Sequence, residues 1–159
     1  MIAPLLFLML LGIISTKAQD RPEPKPMKRN IVYVGPSVFA LGASASLTYE
    51  RIFGSEDYLD YWTGGIAAGY AGHGSLSESF EQYFIKFYGG FLKEKRPSNY
   101  LEFNFGLILA YDIYGREEKN AVYPSLYMGY RHMPKQGGFN WRVGIGAVEI
   151  IQLSAGYSF

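Results

Sequence analysis

An all-β fold, an eight-stranded antiparallel up-and-down transmembrane β-barrel, is predicted by three observations. Beyond residue 30 the chain divides into eight segments in which apolar residues alternate with polar or small ones at a period of two. Aromatic residues make up 17% of the chain, 14 Tyr, 11 Phe and 2 Trp, and they come with 19 Gly, a mixture that favours pleated strands and tight turns over helices. No apolar run in that stretch is long enough to cross a bilayer as a helix.

Composition also narrows the classes of function. A length of 159 residues suits one domain once a leader is removed. Fifteen Lys and Arg against 14 Asp and Glu leave a formal charge of +1, so no long-range field steers the protein towards nucleic acid. The absence of cysteine excludes a disulfide scaffold, a thiolate zinc site and a catalytic thiol.

The first 18 residues have the grammar of a secretory signal peptide. An apolar run from Pro4 to Ser15, with Leu5-Leu6-Phe7-Leu8-Met9-Leu10-Leu11 at its heart, leads to Thr16-Lys17-Ala18 and a cut after Ala18. Residues 19–29 place Pro22, Pro24 and Pro26 between charges, which prevents helix and leaves little apolar surface to bury. An extended linker is expected there, and the barrel domain is 30–159.

The last segment is the clearest strand. From Ile151 to Phe159, one face carries Ile151, Leu153, Ala155, Tyr157 and Phe159 and the other Gln152, Ser154, Gly156 and Ser158. Phe139 to Ala147 alternates in the same way and forms a hairpin with it about Val148 to Ile150. Tyr100 to Tyr114 holds the pattern longest, with Ile108 as the one apolar intruder on its polar side. Ala43 to Phe53, Phe80 to Phe91 and Ala121 to Arg131 are further strands. Ile31 to Val38 and Tyr58 to Tyr70 complete the eight, with Pro36 and the Gly64-Gly65 pair suggesting a bulge. Short links, such as Gly54 to Asp57, Lys95 to Asn99, Gly115 to Asn120 and Pro134 to Gly138, imply consecutive antiparallel pairing.

Alternation alone does not say which face is inside, so a soluble lipocalin-like carrier of an apolar ligand stays open as an alternative. The composition of the two faces argues for a membrane wall. The polar face carries Glu50, Lys86, Glu102, Asp112, Arg131 and Arg142, three acids and three bases that would balance in a narrow lumen filled by side chains. The apolar face gathers rings at the strand ends. Tyr49, Phe53, Phe91, Tyr130, Trp141, Tyr157 and Phe159, joined by Phe103 and Phe139, form one lipid-facing girdle, and Tyr70, Tyr83 and Tyr111 the opposite belt. Ten residues at roughly 3.3 Å each, tilted by about 40°, cover roughly 25 Å of hydrocarbon. An open edge in lipid would be costly, so the eighth strand should close on the first.

The carboxyl terminus, Leu153-Ser154-Ala155-Gly156-Tyr157-Ser158-Phe159, resembles the alternating, Phe-ending signal of small outer-membrane β-barrel proteins of Gram-negative bacteria. That group includes the OmpA-like and OmpX-like eight-stranded barrels. Asn30-Ile31-Val32-Tyr33-Val34, followed by Ser46-Leu47-Thr48-Tyr49-Glu50-Arg51-Ile52-Phe53, resembles the opening hairpin of a widespread uncharacterised family of such barrels. The resemblance implies a bacterial outer-membrane location, outer-membrane lipid as surroundings and insertion by the barrel assembly machinery through the strand ending in Phe159. It brings no catalytic residue and no cofactor, and a monomer is expected.

His73-Gly74-Ser75-Leu76-Ser77-Glu78 places a base, hydroxyls and a carboxylate in one loop, the types used by outer-membrane acyl hydrolases, which makes a lipid-modifying enzyme a second alternative. A triad needs rigid geometry, whereas turn-forming residues supply these types by chance, so a non-enzymatic role, structural or in surface interaction, is the expectation. His132 lies at the opposite end from His73, so the two histidines do not share a metal ion. Gly144-Ile145-Gly146 opens no helix and is read as room in the lumen.

Overall fold

The computed structural model describes residues 27–39, 42–54, 60–74, 79–112 and 120–159, together with the side chains of these residues except 60, 73, 74, 79, 80 and 112. The segment read as a signal peptide and most of the segment read as a linker therefore lie outside the described residues. All eight segments are strands: β1 (Asn30–Phe39), β2 (Gly42–Phe53), β3 (Asp60–Gly74), β4 (Ser79–Arg96), β5 (Asn99–Asp112), β6 (Ala121–His132), β7 (Gly138–Gly146) and β8 (Glu149–Ser158). Each pairs antiparallel with the next, and β8 returns to β1, so the sheet closes. Closure supplies partners that the outer strands of an open sheet would lack.

Alternation decides which side of the wall each residue takes. In β2, Ser44, Ser46, Thr48, Glu50 and Ile52 are buried inside, while Ala45, Leu47, Tyr49, Arg51 and Phe53 are exposed outside. β1 alternates without interruption despite Pro36, which points outward. Asn30 and Phe159 exchange backbone hydrogen bonds of 3.3 and 2.9 Å, so the even-numbered residues of β1 turn their backbone groups to β8. Proline has no N–H to offer on that side, and the β1–β8 ladder skips from Val34–Ala155 to Ser37–Gln152.

The bulge expected at Gly64-Gly65 is absent, because β3 keeps one register with both β2 and β4 throughout. The glycines serve packing instead. A β-carbon on Gly65 would lie 2.5 Å from Tyr88 Cζ, inside a ring that fills the lumen. The irregularity falls in β8, where Val38 pairs with Ile151 but Phe39 pairs with Glu149. Ile150 is the extra residue. The bulge lets Ile150 and Ile151 both face outward and turns Glu149 into the lumen, reversing the parity that strict alternation would impose.

The turn between β4 and β5 is tighter than the sequence suggested. The link expected over Lys95 to Asn99 is only Pro97-Ser98, with Arg96 already paired to Asn99 and Ser98 at φ 67. A proline followed by a positive φ is the type II arrangement. The fold also starts earlier than Asn30. Met27 is buried, Lys28 N–H donates to Lys135 O at 2.9 Å, and Arg29 O accepts from Ile52 N–H at 2.8 Å, so the last three residues assigned to the linker belong to the barrel.

Candidate functional site: the ion-paired lumen

The lumen is layered. At the end where β1 begins and β8 finishes, Met27, Ile31, Tyr33, Ile52, Tyr61, Leu92, Tyr100 and Met133 form an apolar floor. At the other end Ala71, Phe84, Ile108 and Ala110 cluster with Phe39 and Val148, so the apolar intruder Ile108 has a place in the lumen. Between these two layers lie the charges. All of them are buried, and burial strengthens every electrostatic interaction among them and makes an unpaired charge costly.

The lower charge cluster is made by β2, β5, β6 and β7. Arg131, 0% exposed, donates through Nε and Nη2 to the Glu102 carboxylate at 3.0 and 2.6 Å, and through Nη1 and Nη2 to Glu50, the latter at 2.9 Å. One planar guanidinium thus serves two carboxylates, a geometry lysine does not offer. Arg142 Nη1 reaches the same pair, at 3.3 Å to Glu50 and 3.2 Å to Glu102. Tyr88 donates its hydroxyl to Glu50 at 2.8 Å, and Asn104 Nδ2 donates to Glu102 at 2.6 Å. The Tyr33 ring lies 4.4 Å from Arg142 Cζ and 5.4 Å from Arg131 Cζ, so both cations also contact one aromatic ring.

Tyr127 fits beside this cluster only because two neighbouring wall positions lack side chains. A β-carbon on Gly144 would lie 2.7 Å from Tyr127 Cζ, and one on Gly129 would also collide with its ring. The sequence suggested room in the lumen at Gly144, and the Tyr127 ring occupies it.

The upper pair is Lys86 with Glu149, joined by a direct ion pair with both side chains buried. Ser37 Oγ stands 2.5 Å from Ser44 Oγ and 3.4 Å from Glu149 Oε1. Of the six charges expected in the lumen, Glu50, Glu102, Arg131 and Arg142 meet in one cluster and Lys86 stands apart from them. The Asp112 side chain lies outside the described residues. Glu149, which the sequence placed in a turn, is the partner of Lys86. Among the described residues the buried lumen charges are Glu50, Glu102 and Glu149 against Lys86, Arg131 and Arg142, so the sum is neutral.

On the outer face, Tyr49, Phe53, Phe91, Tyr130, Tyr157 and Phe159 are all exposed near the terminal end. Trp141 is half-buried, with its ring 5.7 Å from Tyr130 and 6.1 Å from His132. The sequence reading passed over Trp62, which belongs in this row. It is exposed and meets Phe91 edge-on at 6.3 Å, while Phe91 stacks on Phe103 at 4.9 Å. Tyr70 and Tyr83 pair at 5.6 Å towards the other end.

The arrangement holds charge firmly. Glu50 and Glu102 each accept from both arginines, so neither carboxylate is left to act as a base. Among the described residues no group of His, Asp and Glu side chains is placed to hold a metal ion. His73 and Gly74 belong to the end of β3, where His73 is the register partner of Phe80, and residues 75–78 lie outside the described residues, as does the His73 side chain. Compared with protein-family models, curated proteins and solved structures, the chain matches none.

Proposed function

We propose that the chain is an integral β-barrel of the bacterial outer membrane, non-enzymatic, with a lumen filled by side chains and a structural or surface-interaction role. The observation that carries this reading is an inversion of polarity. Leu47, Phe105, Leu126 and Leu153 are 60, 58, 59 and 52% exposed on the outside, while Glu50, Glu102 and Arg131 are 0% exposed within. An apolar wall running round a barrel far exceeds the patch that a monomer tolerates in water, about 300–600 Å². Acyl chains remove that cost, and aromatic rows at either end suit the two headgroup zones. A soluble carrier needs the opposite arrangement, with apolar side chains enclosing a cavity. The leader ending at Ala18 and the strand ending in Phe159 support export and assembly into the outer membrane.

Cell fractionation and detergent partition test the proposal. The protein is expected in the outer-membrane fraction, extracted only by detergent, and migrating faster on a gel before boiling than after. Recovery in the aqueous phase without detergent, with migration indifferent to heat, would overturn it.

A further inference from the structure

Among the described side chains, the two ends of the barrel differ in charge. At the end where β1 begins and β8 finishes, Lys28, Arg29, Arg51, Lys93, Lys95 and Arg96 are all exposed. Among the described side chains, the acid at this rim is Glu94, which is taken by Lys135 at 2.9 Å. Asp60 is the register partner of Lys93. At the opposite rim the described charge outside the lumen is Glu81.

Three of these cations stand on the outer wall itself. Arg51 shares its face with Tyr49 and Phe53, and its Cζ lies 5.9 Å from the Phe53 ring. Lys93 and Lys95 continue the outward face of β4 below Phe91. Between them on β3 is Trp62, whose register partners are Phe53 and Phe91. Aliphatic stems lying along apolar wall, with charged heads beyond a row of rings, place cations at headgroup depth.

Resting on the membrane reading above, we propose that this rim is a docking belt for anionic phospholipid headgroups, with Arg51, Lys93 and Lys95 as its phosphate-contacting side chains. Charge complementarity selects the occupant, since a cluster of exposed Lys and Arg at a membrane surface attracts anionic lipid and does so less as salt rises. The belt also fixes the barrel in depth, because each cation resists leaving the phosphate layer in either direction.

Trp62 sits within the belt and reports on it. The full chain carrying Trp141→Phe, reconstituted in phosphatidylcholine bilayers, keeps this one tryptophan as the probe. Its quenching by brominated phosphatidylglycerol is compared with that by brominated phosphatidylcholine. The anionic lipid is expected to be favoured about two- to fivefold at low salt, falling towards parity at about 1 M salt. Adding Arg51→Gln, Lys93→Gln and Lys95→Gln should bring the ratio to parity at low salt while quenching by phosphatidylcholine persists. Equal quenching by both lipids in the parent chain, or a preference that survives the three substitutions, would overturn the belt and leave the membrane reading intact. A preference removed by inorganic phosphate but not by chloride at equal ionic strength would make the belt a free-phosphate site and also overturn it. Quenching by neither lipid would overturn both readings.

Discussion

The lower and upper charge groups of the lumen are built on different plans. Below, two arginines and two carboxylates bind one another in a closed set, reinforced by Tyr88 and Asn104 and resting on Tyr33. Above, one lysine meets one carboxylate, and serine hydroxyls complete the shell. In the lower group every charge has more than one partner, so loss of one residue damages several contacts. In the upper group loss of one residue strands a single partner. Cooperative networks and isolated pairs respond differently to deletion for this reason.

The comparison can be broken by substitution. Arg131→Met leaves Glu50 and Glu102 buried with Arg142 alone, and the expected loss is about 3–5 kcal/mol of unfolding free energy. Urea unfolding in lipid vesicles, followed by tryptophan fluorescence, measures it. Lys86→Met strands only Glu149, which keeps its serine neighbour, and should lose about 3 kcal/mol, the low end of that range. Adding Glu149→Gln to that variant should restore stability to within about 1 kcal/mol of the parent, because both partners of the pair are then neutral. Equal losses for Arg131→Met and Lys86→Met would show that the two groups do not differ in kind.

Much of the wall was legible in the sequence, because a period of two is written residue by residue from Ile151 to Phe159 and from Leu101 to Leu107. The contents of the lumen were less so. The Glu50–Arg131 contact joins residues 81 positions apart, and no local pattern announces such a pairing. Glu149 was hidden by the bulge at Ile150, which reverses parity; the adjacent Ile150-Ile151, two large β-branched residues that both want the apolar face, was the available signal. Glycine in a strand has two causes, a bulge or a close approach, and only the position of Tyr88 decides between them at Gly65. The apolar floor escaped notice because Ile31, Ile52 and Leu92 are greasy residues on a nominally polar face. They seal the end of the lumen where the floor begins.

The central claim is that the outer face meets acyl chains, and a collision measurement on spin labels tests it most directly. The chain has no cysteine of its own, so Leu107→Cys, Val143→Cys and Leu153→Cys each provide one labelling site on the outward face. In lipid bilayers the nitroxides should collide often with apolar oxygen and rarely with a water-soluble nickel complex, with the contrast greatest midway between the aromatic rows. Frequent collision with the nickel complex at all three sites would place that face in water and contradict the account.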